Sequence, residues 1–289
     1  MTTYQHITVK RTSGALGAEI RGVDLSEPLP QAVFDEIYAT WLEHHVIYLR
    51  DQDIDPGQHL AFGRRFGDIH IHPFNKGLVE HPEVLEILKT EDMTMNNGSR
   101  WHSDQMYTAK PAKATMLVAR EMPVQGGDTQ FSNLHLSYEA LSPAMQKMLA
   151  GLKGVNNGDS RKYHKFTREE RAKMGIGTMP QKDQPEDVQT VSVHPLVRTH
   201  PETGRKALYF GSHTERFDNM TEAESDALLQ FLTAHATRPE FVYRHHWEEG
   251  TLTIWDNRCL QHIAINDYHG HRRCMHKITI AGDAPYYDA

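Results

Sequence analysis

With only two cysteines, Cys259 and Cys274, this 289-residue chain has no disulfide framework to hold it together. It also lacks any apolar run of the roughly 18–20 residues that would cross a bilayer. Its densest stretches, Val46–Leu49 and Met116–Ala119, have the length of core strands, so no membrane span is expected. Basic charge is not in excess: 31 Lys+Arg against 38 Asp+Glu leave a formal charge of −7, which gives no electrostatic reason to seek nucleic acid. No repeat, low-complexity tract or Gly/Ser linker divides the chain, and a single domain over 1–289 is expected. There is no Gly-rich dinucleotide fingerprint and no P-loop. The opening residues lack the charged and apolar regions of a signal peptide, so a cytoplasmic protein is expected.

What is present is a globular composition, 38% hydrophobic and 24% charged, with an unusual 20 histidines. Histidine is suited to metal ligation and to proton transfer near neutral pH, so a metal site is worth seeking. Val33, Ile37 and Trp41 recur at helical spacing behind Pro30 and lead into the strand-like Val46–Leu49. Asp55-Pro56 reads as a cap and first-turn proline opening a helix that stops near Phe66-Gly67, and Ser142-Pro143 opens another through Leu149. Thr221 and Glu224 form a capping box. Strands are expected at 84–88, 112–119, 190–199, 205–210, 240–246, 251–255 and 272–280. Between 156 and 189 the chain is polar, with several Gly and Pro and little apolar periodicity, which points to a lid or insertion. No βαβ alternation is visible, so the expected class is α+β, mainly β.

His102-Ser-Asp104 places two potential ligands at i and i+2, on one face of an extended segment. The spacing alone decides little: about one such pair arises by chance among 20 histidines, and four His-x-Glu pairs, at His81, His200, His213 and His246, compete with it. On the last strand Arg273, Met275, Lys277 and Thr279 share one face, and Cys274, His276, Ile278 and Ile280 the other. Two cations in a row either point into a cavity that needs anions or face water; alternation leaves both open.

Taken together, Trp101-His-Ser-Asp104, Gly126-Gly-Asp-Thr129 and Trp255-Asp-Asn-Arg258, followed by His262, Arg273 and Lys277, resemble the taurine dioxygenase (TauD/TfdA) family of iron(II)- and 2-oxoglutarate-dependent oxygenases. Gly22-Val-Asp-Leu25, Phe62 to Gly67 and Phe241 to His245 extend the likeness over nearly the whole chain. The resemblance implies a double-stranded β-helix of the jelly-roll, cupin-like kind with helices packed outside. It makes His102, Asp104 and His262 the iron ligands, a two-His, one-carboxylate facial triad with open positions. It assigns the distal carboxylate of 2-oxoglutarate to Arg273 and Thr129, with O2 as co-reactant. A planar fork suits a carboxylate, and the strand alternation puts Arg272 on the opposite face.

The implied reaction hydroxylates a small organic anion, such as a sulfonate, sulfate ester or aryloxyalkanoate, while 2-oxoglutarate is converted to succinate and CO2. In the family a second arginine, four residues after the cosubstrate arginine, meets the anion; here Lys277 keeps the charge without the fork. His72 matches the substrate-contacting histidine of the taurine enzyme, whereas Asn75 stands where that enzyme has tyrosine and Gly98 where it has an amine-binding asparagine. Taurine itself is therefore not the expected substrate. The loop 91–100 and the segment 156–189 are the expected covers. Cys259 and Cys274 are expected to be buried thiols, His276 structural, Trp101 and Trp255 packing walls, and Asp256-Asn257 the turn before His262. Relatives are commonly dimers or tetramers, so a homo-oligomer is expected. A metal-dependent hydrolase built on the same His/Asp/His cluster, or a degenerate cupin-like binding protein, is the alternative.

Overall fold

The fold is given by a computed structural model that describes residues 4–159, 162, 165–173, 179–182 and 188–289. The first half runs β1 (Thr8–Arg11), β2 (Ala18–Arg21), α1 (Gln31–His44), β3 (Val46–Leu49), α2 (Pro56–Gly63), β4 (Leu85–Lys89) and β5 (Ala114–Glu121). Next come β6 (Thr129–Asn133), α3 (Leu134–Glu139), α4 (Pro143–Ala150), β7 (Lys153–Asn157) and α5 (Arg168–Lys173). After these lie β8 (Val191–Pro195), β9 (Val197–Thr199), β10 (Lys206–Leu208), β11 (Thr214–Phe217) and α6 (Glu222–Ala236). The chain closes with β12 (Val242–His245), β13 (Leu252–Asp256), β14 (Leu260–Ala264) and β15 (Arg273–Ile280).

The helices start where their caps dictate. Asp55 accepts from Gln58 N while the Gln58 side chain accepts from Asp55 N, a complete capping box with Pro56 in the first turn. Thr221 and Glu224 do the same for α6. In α1 the positions Phe34, Ile37 and Trp41 form the buried stripe, and the helix ends on His45 in the left-handed conformation at φ 63°. Helix α2 ends at Gly63, about a turn before Phe66-Gly67, and Gly63 lies close against β15, where a Cβ would meet Ile278 Cδ1 at 2.4 Å.

A seven-stranded sheet in the order β1-β2-β3-β13-β5-β15-β4 forms one wall, and β12-β6-β14 forms a smaller facing sheet. Leu117, Trp255 and Met275 of the large sheet pack with Phe131 and Leu260 of the small one, which closes the double-stranded β-helix. Outside the large sheet, α1 and α2 bury Phe34, Ile37, Trp41, Leu60 and Phe62 against Ile47, Ile254, Ile278 and Ile280. Ile278 and Ile280 thus face the outer helices, as alternation predicts, and Arg273 lies buried on the other face.

Several strands escape sequence reading. β6 and β14 pair antiparallel, with His262 opposite Phe131, yet neither alternates clearly because both are largely buried. The expected strand 190–199 is two short ones, β8 and β9. Within 156–189, Asn156 is a buried member of β7, α5 is one short helix, and Asn75 bridges Gln181. The other parts of that segment, 160–161, 163–164, 174–178 and 183–187, lie outside the described residues. Among the described residues no helix is long and apolar enough to cross a membrane.

Candidate active site

The two histidines are brought together by the backbone before any side chain acts. His102 N donates to His262 O at 3.0 Å and His262 N to His102 O at 2.8 Å, a single antiparallel bridge that pins the segment after loop 91–100 onto β14. The imidazole centroids lie 4.2 Å apart. Asp104, two residues on, shares that face, and one potential ligand atom from each of the three residues lies within 4.8 Å of the others.

Each group is held in the state a cation requires. His102 Nδ1 lies 2.7 Å from Arg100 O; a carbonyl only accepts, so the proton sits on Nδ1 and the Nε2 lone pair is left for a metal. Burial pushes the basicity of both His102 and His262 down, so both are neutral ligands, and His262 Nδ1 has no partner among the described residues. Burial works against ionising Asp104, but the Lys277 ammonium and the two histidines outweigh it and hold the carboxyl far below its usual range. Its Oδ2 accepts from Thr115 Oγ1 at 2.6 Å, its Oδ1 from Lys277 Nζ at 2.9 Å, and its backbone N–H donates to Asn257 Oδ1 at 3.2 Å. Asn257 is itself fixed by Trp255 Nε1 at 3.0 Å and by Thr115 at 2.9 Å. Neutral imidazoles beside an ionised, doubly anchored carboxylate are the donor set for a divalent cation of borderline hardness, so these residues fit iron(II).

A cavity of about 250 Å³ opens over this cluster. Thr129 and Arg273 line it. Thr129 Oγ1 accepts from Trp247 Nε1 at 3.0 Å, so its own hydroxyl proton remains available to a ligand. Arg273 is buried, its guanidinium 5.8 Å from the centre of the Trp247 ring and its Nε without a partner among the described residues. Gly127, at φ +71°, clears Arg273: a Cβ there would stand 3.2 Å from Arg273 Cδ. Its neighbour Gly126 is likewise closed to a side chain, by Asp267 at 2.7 Å, which explains the glycine pair that no helix follows.

The expected substrate residues also reach the cavity: His72, Asn75 and Lys277 line it, with Gly98 from the 91–100 loop and Met179 and Gln181 from the polar insertion. His72 Nδ1 accepts from the backbone N–H groups of Phe74 and Asn75, both at 3.1 Å. Burial drives its pKa down to about 3, so His72 is neutral and carries its proton on Nε2. Lys277 differs from expectation in one respect, since its ammonium is bound to Asp104. Cys274 differs too: Cys259 is buried, but Cys274 is only half-buried, with Sγ 3.8 Å from Glu86 Oε2. His276 accepts from Arg120 Nε at 3.1 Å, which suits a structural role.

Residues 8–279 match the family described as "Taurine catabolism dioxygenase TauD, TfdA family". The chain belongs to this family. Among its TauD/TfdA relatives is the alpha-ketoglutarate-dependent sulfate ester dioxygenase of Pseudomonas putida, 32% identical with 96% of this chain and 91% of the relative covered. The (S)-phenoxypropionate/alpha-ketoglutarate-dioxygenase of Sphingobium herbicidovorans is 32% identical with 92% of each covered. The crystal structure of a taurine dioxygenase from Burkholderia xenovorans superposes with a TM-score of 0.81 at 34% identity, covering 97% of this chain and 91% of that one. As a TauD/TfdA member the protein is an iron(II)- and 2-oxoglutarate-dependent dioxygenase, using O2.

Sequence reasoning missed Thr115, Asn257 as an anchor for Asp104, and Trp247. Thr115 carries a signal in retrospect, a hydroxyl in an otherwise apolar strand; the others show their role only through contacts between distant segments.

Proposed function

We propose that His102, Asp104 and His262 hold the iron, that Arg273 and Thr129 take the distal carboxylate of 2-oxoglutarate, and that His72, Asn75 and Lys277 face a small anionic substrate of the sulfate ester, sulfonate or aryloxyalkanoate class. The observation that carries this reading is the reciprocal His102–His262 backbone bridge, which sets three ligand atoms at the base of the cavity that Arg273 also lines. With iron(II) and 2-oxoglutarate bound, the centre supplies oxidising power, one oxygen of O2 entering a substrate C–H bond as 2-oxoglutarate becomes succinate and CO2.

The chain's own residues bind, orient and exclude water. Thr115 and Lys277 hold the two oxygens of Asp104, while the Arg100 carbonyl fixes the His102 tautomer. Trp255, with its ring 4.8 Å from His262, and Phe131 at 6.0 Å wall the cluster from water. The Nε2–H of neutral His72 is a donor suited to an anionic oxygen. We read 1–289 as one domain, with 156–189 as an insertion covering the cavity; Met179 and Gln181 in the lining support that. The hydrolase and binding-protein alternatives are not favoured by the sulfate ester and phenoxypropionate dioxygenase relatives.

The test is anaerobic addition of iron(II) and 2-oxoglutarate to the metal-free protein, watching for a visible metal-to-ligand charge-transfer band. The band should vanish with His262→Ala and need more 2-oxoglutarate with Arg273→Ala. Its absence from folded, iron-loaded parent protein would overturn the site assignment. Succinate, sulfite and phenol release across a panel of sulfate esters, sulfonates and aryloxyalkanoates then selects the substrate.

A further inference from the structure

A second set of potential metal ligands lies outside the cavity. His45 ends α1 in the left-handed conformation, His135 sits in the first turn of α3, and Cys259 occupies the turn between β13 and β14. All three are at most 2% exposed. Backbone bonds lock the three segments together: Asp256 N donates to His45 O and Leu134 N to Cys259 O, both at 2.9 Å. The His45 and His135 ring centroids are 5.1 Å apart, and one potential ligand atom from each of the three residues lies within 4.8 Å of the other two.

The hydrogen bonding leaves the two imidazole atoms unused, while the Cys259 thiol makes only a weak donation to Asp256 O at 3.8 Å, which metal binding would replace. His135 Nδ1 lies 2.8 Å from Lys206 O, an acceptor, so Nδ1 carries the proton and Nε2 presents a lone pair. That Nε2 and His45 Nδ1 are both buried without a partner among the described residues. Leaving such groups unpaired in the interior is unfavourable, so their convergence on a thiol calls for an explanation. A non-glycine residue at positive φ, as at His45, is a further local constraint.

We propose that His45, His135 and Cys259 form a buried site for a soft, low-coordinate cation of the copper(I) kind. A thiolate with two imidazoles gives such a monovalent cation a neutral three-ligand shell, which the interior tolerates better than a net charge. Zinc(II) would want a fourth ligand. The nearest carboxylate, Asp256, is already committed to Arg258 Nη2 at 2.7 Å, Arg258 Nε at 2.8 Å and His200 Nε2 at 3.0 Å. Burial holds His45 down to about 4 and His135 well below its ordinary value, so both imidazoles are neutral near pH 7. Burial pushes the Cys259 thiol up, so binding breaks its S–H bond, forms the metal–sulfur bond and releases one proton to solvent. The ligand atoms lie no more than 4.8 Å apart, so reaching the spacing of a bound cation requires a contraction of at most about 1 Å. Access runs past Arg205, whose side chain is 38% exposed and whose Nη1 stands 3.5 Å from His45 Nε2. Ligation through Nδ1 moves the imidazole proton to Nε2, so this guanidinium must turn aside.

The test is an anaerobic titration of the iron-loaded protein with copper(I) against bicinchoninate, a chromophoric chelator. One equivalent should be withdrawn from the chelator. Cys259→Ser and His135→Asn, the latter keeping a donor to the Lys206 carbonyl, should each weaken binding by more than about 100-fold, beyond the loss of a supporting partner. Cys274→Ser should leave it unchanged, which separates this site from the other thiol, and loading with iron beforehand separates it from the proposed iron ligands. Copper held equally well by Cys259→Ser or His135→Asn, or lost with Cys274→Ser, overturns the proposal, as does tighter binding of zinc(II). Should those variants not fold, X-ray absorption on the copper-loaded parent decides. One sulfur and two nitrogens support the site, and nitrogen and oxygen alone refute it.

Discussion

Arg273→Met should weaken 2-oxoglutarate binding and stabilise the ligand-free protein at the same time. The side chain is buried, its Nε is unpartnered, and no carboxylate pairs with it among the described residues. Asp128, which attracts it, is already bound by Arg244 at 2.6 Å and His246 at 3.0 Å. A buried guanidinium without a counter-ion is a stability cost that an apolar side chain of similar length removes, and such replacements gain roughly 1–4 kcal/mol. Because the group borders the cavity, the lower part of that range applies, about 1–2 kcal/mol. For a chain of this size this raises the melting temperature by roughly 2–8 °C. The fork is worth two charge-assisted hydrogen bonds to a carboxylate, about 3–5 kcal/mol together, so the dissociation constant for 2-oxoglutarate should rise by about two to three orders of magnitude. The two effects have opposite signs in one assay. In metal-loaded samples without cosubstrate the variant should melt above the parent. At 100 times the parent's dissociation constant, 2-oxoglutarate adds about 2.7 kcal/mol to the parent and almost nothing to the variant, so the order inverts. A variant that melts lower in both conditions, or whose affinity by calorimetry falls by less than about tenfold, would refute the assignment of Arg273 as a cation kept for an incoming carboxylate.

The parts of this fold legible in the sequence are those specified locally. Asp55-Pro56, Ser142-Pro143 and the Thr221/Glu224 pair mark helix starts because caps act within one turn, and the alternation from Arg273 to Lys277 marks a strand with two unlike faces. β14 is different: Leu260, Gln261 and His262 are all buried, so no period of two betrays the strand or singles out His262 among 20 histidines. Its proposed part in the iron site rests on resemblance to a family, and the backbone bridge to His102 is the physical support for it. The Lys277–Asp104 bond was not legible, because alternation places a lysine on a face without naming the anion it meets. The same limit hid His45, His135 and Cys259, each an ordinary buried residue in its own segment and a cluster only once α1, α3 and the β13–β14 turn are packed.

Lys277→Met should destabilise the metal-free protein by roughly 3 kcal/mol by leaving Asp104 buried without its counter-charge, and a divalent metal should restore most of the loss. Equal destabilisation with and without manganese(II) in thermal melts would count against that account. His72→Gln should lower kcat/KM for the anionic substrate about tenfold, the worth of one hydrogen bond to a charged group. It should leave the profile between pH 5.5 and 8 unchanged in shape, because a group with a pKa of about 3 does not titrate there; an inflection removed by the substitution would show that His72 acts as a cation. Asp256→Asn should destabilise the fold by about 3–5 kcal/mol. The carboxylate is fully buried and accepts from Arg258 and from His200 Nε2, whose proton is placed there because His200 Nδ1 accepts from Glu202 N and Thr203 N. An amide offers one acceptor oxygen where two sets of donors converge, so an N–H is left facing an N–H. Although burial opposes its ionisation, Arg258 and His200 hold the Asp256 carboxyl well below its ordinary value. A folded-state pKa depressed in this way contributes stability that is present in full above the unfolded value, about 3.9, and is lost only as pH falls toward the folded value. Urea unfolding should therefore show a constant gap between parent and Asp256→Asn from pH 7 to about 5, narrowing only below about 4 as the parent alone takes up its proton. A gap that already shrinks between pH 7 and 5 would mean that the Arg258 and His200 contacts do not hold the charge on Asp256.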